Sequence, residues 1–223
     1  MDGLHREVRK LCIGWPWEPP SMWSIVLENY LSLQRPENSF WVRGTGWCPA
    51  RRHIDICEKA IIGGASHILI IGADQIHPVD MIPRLIDRVE QDGCDVISSL
   101  VPTNGHTDKV KYFQKCAWVQ NESGKLGDWD LIFPTGDLMR ITGIGSGVLM
   151  FPVSALERMK KPWFIEHFDK ETYKPIYVMD TEFVHRLAVE AGLELWVDTT
   201  IMVKHYIPLA VDETFQKRFE DWN

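Results

Sequence analysis

His67-Ile-Leu-Ile-Ile-Gly-Ala-Asp-Gln75 is the stretch that decides the fold. From Ile68 to Ile71 every residue is a large aliphatic, with no polar alternation, which is the pattern of a strand covered on both faces and so of a parallel sheet inside an α/β protein. Gly72-Ala73-Asp74-Gln75 ends the run, and Pro78 stands just beyond. A carboxylate at the end of a buried parallel strand lies at the sheet edge where open α/β folds bind their ligands. Asp74 is therefore the most informative single residue. The competing explanation is a turn aspartate bonded to its own backbone.

Outward from this strand the chain alternates strand and helix signals. Upstream, Val8 to Gly14 is a short apolar run closed by Trp15-Pro16-Trp17-Glu18-Pro19-Pro20, and Ser21 can cap a helix to about Leu33. Phe40-Trp41-Val42 suggests a second strand. Pro49 to about Ile62 follows as a helix, with Ile54, Cys57 and Ile61 at helical spacing. Downstream come a helix from about Asp80 to Gln91 and a strand from Asp95 to Val101. Strands alternating with helices predict a parallel sheet flanked by helices.

The second half is less regular. Lys109 to Gln120 reads as extended, with Lys109, Lys111 and Lys115 on one solvated face. A polar loop covers Asn121 to Gly127, Val148 to Phe151 reads as a strand, and a short helix starts near Pro152. Met179 to Ala191 is a helix with Phe183, Leu187 and Ala191 on one face, a Glu182 to Arg186 pair at i,i+4, and Gly192 as its stop. Two strands, Glu194 to Val197 and Ile201 to Lys204, lead to His205. No linker or repeat divides the chain, so a single domain over 1–223 is expected.

Composition narrows the function classes. The chain has 223 residues, with 24 Lys and Arg against 31 Asp and Glu for a net charge of −7, and 45% hydrophobic residues. These are soluble-domain values. The acidic balance opposes a sequence-independent grip on nucleic acid, which needs a basic surface. Five scattered cysteines without a C-x-x-C pair read as reduced thiols, and no apolar run reaches the roughly 20 residues of a membrane span. A cytoplasmic location is the expectation. Ten tryptophans are the compositional oddity.

Several motifs fail on context. Gly143-Ile-Gly-Ser-Gly147 has Val148 where a dinucleotide fingerprint needs its last glycine, and an apolar strand follows. Ser146 is not in a nucleophile elbow, because Ile144 stands where the first glycine belongs. Asp180, where the last helix begins, is explained by N-capping as readily as by a general base on a rigid element. His205 alone reads as structural, and Arg51 and Arg52, at the start of a helix beside the loop Gly44 to Cys48, read as solvated.

Taken together, four stretches resemble a family. Leu11-Cys-Ile-Gly-Trp-Pro16, Ala50-Arg-Arg-His53, Ile68-Leu-Ile-Ile-Gly-Ala-Asp-Gln-Ile-His-Pro78, and Asp180-Thr-Glu-Phe183 through Ala191-Gly192 to Val203-Lys-His205 occur in the order seen in GT-A fold glycosyltransferases. The pattern is most similar to family 2 and to the short single-domain forms of phage and prokaryotic genomes. The resemblance implies an α/β GT-A (nucleotide-diphospho-sugar transferase) fold, with a mixed, mostly parallel sheet flanked by helices. Residues up to about 104 would form the nucleotide-sugar half, and those from about 105 the acceptor-binding and catalytic half.

It also implies roles. Asp74 matches the second carboxylate of D-x-D and, with His205, would bind Mn²⁺ or Mg²⁺, the Lewis acid that neutralises a leaving diphosphate. Asp180 would be the base that deprotonates an acceptor hydroxyl, giving inversion. Pro16, Trp17, Arg51, Arg52, Ala73 and Asp74 would meet the nucleotide-sugar, a UDP- or GDP-sugar. Ser146, Gly147, Trp163 and Phe164 would face the acceptor, a glycan, small molecule or other hydroxyl-bearing substrate, with the last two forming an apolar platform.

Two positions depart from the pattern. Gly72 replaces the first aspartate of D-x-D, and Met179 replaces the glutamate before Asp180. Gln75 and His77 are the neighbours that could compensate for the lost carboxylate. Gly72 also supports a rival reading, a GT-A-like nucleotide- or glycan-binding scaffold without turnover. A sugar-phosphate nucleotidyltransferase should carry a glycine-rich, basic signature after strand one, where Trp15 to Pro20 stands instead.

Overall fold

A computed structural model of the chain describes residues 7–16, 23–102, 117–120, 129–132, 135–168, 170–171, 175–176 and 179–206. In chain order the elements are β1 Leu11–Pro16, α1 Ser24–Ser32, β2 Ser39–Gly44, α2 Pro49–Ile62, β3 His67–Ile71, β4 Gln75–Ile76, α3 Met81–Glu90 and β5 Val96–Leu100. The second half adds β6 Ala117–Gln120, β7 Trp129–Ile132, β8 Leu138–Ile141, β9 Val148–Pro152, α4 Ala155–Arg158, β10 His167–Phe168, β11 Pro175–Ile176, α5 Met179–Val189, β12 Leu195–Met202 and β13 Lys204–His205.

Among the described residues the main sheet has seven strands in the order β2-β1-β3-β9-β5-β12-β8. β1 pairs in parallel with β2 and β3, and β12 in parallel with β5. β9 runs antiparallel between β3 and β5, and β8 antiparallel at the edge beside β12. The sheet is thus mixed and mostly parallel, as expected.

The uninterrupted apolar run of β3 is explained by two cores. Ile68 and Ile70 pack on one face with Ile56 and Cys57 of α2 and Phe183 and Leu187 of α5. Leu69 and Ile71 pack on the other with Val26 and Tyr30 of α1 and Met81, Ile82 and Leu85 of α3. All four aliphatic side chains of β3 are fully buried, each stabilising the fold by about 1.5–3 kcal/mol. Helix α2 sits unusually close to the sheet, because a Cβ on Gly14 would lie 2.3 Å from Ile56 Cγ2. That approach carries the first turn of α2 to the ligand-binding edge.

The sequence reading is corrected at several points. The two expected strands after Gly192 are one strand, β12, whose register with β5 shifts between Asp198 and Met202. β8 and the short pairs β10–β11 and β4–β13 carried too few residues for periodicity to register. Arg186 does not pair with Glu182: it bonds Glu190 at 2.7 Å, while Glu182 meets His167. The lysines at 109, 111 and 115 and the loop from 121 to 127 lie outside the described residues. No helix among the described residues is long and apolar enough to cross a membrane.

Candidate functional site

The carboxyl ends of β1, β3 and β5 and the start of antiparallel β9 converge on one edge of the sheet. Ile71 of β3 stands opposite Val148 of β9, so the turn after β3 and the turn before β9 are neighbours, tied by a bond from Gly72 N–H to the Gly147 carbonyl at 2.7 Å. Here an open pocket of about 370 Å³ is lined by Pro16, Trp23, His53, Gly72, Ala73, Asp74, Gln75, Ser146, Gly147, Asp180 and His205. It gathers two carboxylates, Asp74 and Asp180, and two imidazoles, His53 and His205, from four separate segments of the chain. This is the edge where the fold class binds ligands.

Asp74 meets His205 through a two-stranded sheet of two-residue strands, β4 and β13. β13 pairs antiparallel with β4, setting His205 opposite Gln75, and the Tyr206 N–H donates to the Asp74 carbonyl at 2.7 Å. The His205 Nε2 then lies 2.8 Å from Asp74 Oδ2, and its Nδ1 lies 2.9 Å from the Pro102 carbonyl. A carbonyl only accepts, so Nδ1 carries a proton, and Nε2 is the atom turned to the pocket. Burial pulls this imidazole down, but the bond to Asp74, the Pro102 carbonyl and the charge on Asp74 outweigh it and hold it above its ordinary value.

Asp180 is placed differently from an N-cap. It lies within the first turn of α5, where Oδ1 accepts the Thr181 N–H at 2.9 Å and Oδ2 accepts the Ser146 N–H at 3.1 Å. A Cβ at position 145 would come within 3.2 Å of Asp180 Oδ2, so a side chain there would press on that carboxylate. Ser146 is fixed in turn: its hydroxyl lies 3.3 Å from His53 Nε2, and His53 Nδ1 lies 2.9 Å from the Pro49 carbonyl. With Nδ1 protonated toward the carbonyl, neutral His53 accepts from the Ser146 hydroxyl. Burial keeps it neutral by lowering its pKa, against the opposing pull of the Pro49 carbonyl and Asp180.

The remaining expected site residues divide. Pro16, Ala73, Asp74, Ser146, Gly147, Asp180 and His205 line the pocket. Trp17 lies outside the described residues. Arg51 and Arg52 are on the first turn of α2 but point elsewhere: Arg51 pairs with Glu58 at 2.7 Å, and Arg52 Nε donates to the Gly46 carbonyl at 3.1 Å. Their neighbour His53, a helical step further on, is the α2 residue that reaches the pocket. Trp163 and Phe164 are 4% and 1% exposed, and neither lines the pocket. Phe164 stacks on Phe183 at 3.8 Å and packs against His53 at 4.7 Å, so its faces are used inside the core.

Trp23, His53, Gly72 and Gln75 complete the lining. Trp23 packs against Tyr206 at 5.4 Å, whereas Trp15 belongs to a cluster with Tyr30 and Trp41. His77 is buried and does not line the pocket, with neither ring nitrogen partnered and its pKa lowered to about 3, chiefly by burial.

Among the described residues, no group of three or more His, Cys, Asp and Glu side chains is placed to hold a metal ion. Asp74 and His205 offer one carboxylate and one imidazole whose second nitrogen is anchored, a pair that fits an ion completing its shell with phosphate and water.

No family model and no curated protein sequence matches the chain. Solved structures do. A197 from STIV superposes with a TM-score of 0.57 at 12% identity, over 89% of this chain and 86% of that one. GalNAc-T7, solved with UDP, GalNAc and Mn²⁺, superposes with a TM-score of 0.58 at 9% identity over 91% of this chain. The fold is that of the GT-A glycosyltransferases. This chain spans 44% of the GalNAc-T7 chain.

Proposed function

We propose that the protein is a nucleotide-sugar-dependent glycosyltransferase. The observation that carries this is the pocket lined by both the Asp74–His205 pair and the Asp180 carboxylate at the carboxyl edge of a GT-A sheet. Pro16 and Trp23 provide an apolar wall suited to a base, on which an indole can stack. Asp74 and His205 would hold Mn²⁺ or Mg²⁺, which when bound supplies positive charge to the leaving diphosphate. Asp180 is the base. It takes the proton of an acceptor hydroxyl as the hydroxyl oxygen bonds to the anomeric carbon and the bond from that carbon to the diphosphate breaks. One displacement of this kind inverts the anomeric centre. The Ser146 N–H holds the carboxylate in place, and the Ser146 hydroxyl, committed to His53, leaves its lone pairs for a substrate hydroxyl.

The test is a thermal-shift and donor-hydrolysis panel of UDP-, GDP-, CMP- and dTDP-sugars with and without Mn²⁺. Stabilisation by one nucleotide class with metal supports the reading, and no stabilisation under any condition overturns it. Gly72 favours a second reading, binding of a nucleotide or glycan without turnover. A nucleotide that stabilises the protein with no consumption of donor in the presence of acceptors would select it.

A further inference from the structure

The residue at the missing carboxylate position is not simply absent. Gly72 and Gly147 face each other across the pocket floor, and the Gln75 side chain lies between them. A Cβ on Gly72 would sit 2.4 Å from Gln75 Nε2, and one on Gly147 would sit 2.5 Å from the same atom. Both distances are shorter than real side chains tolerate, so the two glycines make the room that this amide fills. The floor itself is held, with Gly72 bonded through its N–H to Gly147 and through its carbonyl to the Tyr30 hydroxyl.

The amide is held in place but incompletely bonded. Gln75 is 3% exposed, yet it lines the pocket, and its Oε1 is buried with no hydrogen-bond partner. A buried amide oxygen left unpaired is costly, and an apolar side chain of the same shape would avoid that cost. Gln75 also stands opposite His205 in the β4–β13 register, beside the Asp74–His205 pair. An amide offers a donor at one end and an acceptor at the other, and a half-turn of its last bond exchanges them. The ligand group that answers both is a sugar hydroxyl, which donates and accepts at once.

We propose that Gln75 reads a sugar hydroxyl of the bound ligand, as a neutral specificity-determining residue that takes the space of a carboxylate at position 72. The inference rests on the transferase reading and names the substrate group which that pocket selects. Two hydroxyl sources share this chemistry, the ribose of a nucleotide and the sugar it carries.

Calorimetric titration with Mn²⁺ separates them, using UDP and GDP against their 2′-deoxy forms, and UDP-glucose, UDP-N-acetylglucosamine and GDP-mannose against the bare diphosphates. If ribose is read, the wild-type chain prefers the ribonucleotide by about fivefold or more. Gln75→Met, matched in shape and apolar, brings that ratio to near one with Tm at or above the wild-type value. If the carried sugar is read, Gln75→Met instead removes a preference for the nucleotide-sugar over the diphosphate. Gly72→Ala, whose methyl displaces the amide, has the same effect and serves if Gln75→Met does not fold. Nucleotide binding with all ratios unchanged in both variants overturns the inference and leaves the transferase reading standing. No nucleotide binding by the wild-type chain overturns both.

Discussion

Asp74 and His205 are 131 residues apart in sequence and 2.8 Å apart in space. What joins them is a two-residue strand pair, β4 with β13, reinforced by the Tyr206 N–H on the Asp74 carbonyl. Because the Pro102 carbonyl fixes the imidazole from behind, His205 is presented to the pocket in one orientation. His205→Ala is expected to weaken Mn²⁺-dependent nucleotide binding by more than about tenfold, and Asp74→Ala to abolish it. Titration calorimetry with and without Mn²⁺ checks this. Equal affinity in the presence and absence of metal for the wild-type chain would remove the pair from metal binding.

Asp180 makes a contrasting prediction. Its two oxygens each accept one backbone N–H, from Ser146 and Thr181, and asparagine keeps the shape of the side chain and one of those two bonds. Asp180→Asn should therefore leave nucleotide affinity within about twofold while lowering transfer by about 10²–10⁴, the range a general base contributes. Parallel loss of affinity and turnover would make Asp180 structural.

How far the sequence could be read follows from the kind of signal each residue leaves. The β3 run and its terminal Asp74 were legible because double-sided burial writes an unbroken aliphatic string. His53 was hidden by helix geometry: each step along α2 turns a side chain by about 100°, so Arg51, Arg52 and His53 face three directions, and only packing chooses among them. Trp163 and Phe164 read as a platform because an aromatic pair looks the same in sequence whether it faces a ligand or, as here, a stack with Phe183. The antiparallel insertion of β9 left no signal either, since strand direction is set by partners far along the chain.

Buried neutral histidines make stability fall in acid. Burial lowers His67 to about 4 and His77 to about 3 from an ordinary 6.5. Between those values the unfolded chain holds protons that the folded chain does not, so this contribution is complete above pH 6.5 and is lost as pH falls toward the folded values. Each histidine should cost about 2 kcal/mol between pH 6.5 and pH 5. His77→Phe removes two unpartnered ring nitrogens and should flatten the acid limb by that residue's share of about 2 kcal/mol, with His53 and His67 keeping theirs, measured as urea-unfolding free energy against pH. An acid limb unchanged in the variant would show that His77 takes up its proton without unfolding.

Phe164 separates a core role from a ligand role. Its ring is enclosed by His53 and Phe183, the latter on the helix that carries Asp180. Phe164→Ala should destabilise the chain by about 3–5 kcal/mol. Phe164→Leu, a smaller change, should lower Tm and turnover without raising the acceptor KM. A selective rise in acceptor KM at unchanged Tm would return the residue to the acceptor surface.

Asp198 ties stability to the site. Its side chain is 1% exposed, with Oδ2 bonded to Arg88 Nε at 2.7 Å and Oδ1 accepting the Thr200 N–H at 2.8 Å. Burial pushes its carboxyl up, but the bonds from Thr200 and Arg88 hold it below the usual carboxylate range. These bonds anchor the register shift of β12 between Asp198 and Met202, immediately before the chain crosses to β13 and delivers His205. Replacing the charge by Asp198→Asn should cost about 3 kcal/mol and lower Tm by about 6–12 °C. At temperatures where the variant remains folded, it should also lose Mn²⁺-dependent nucleotide affinity, because the strand that positions His205 is no longer held at its start. A lowered Tm with unchanged metal-dependent affinity would show that β4 alone is enough to place His205.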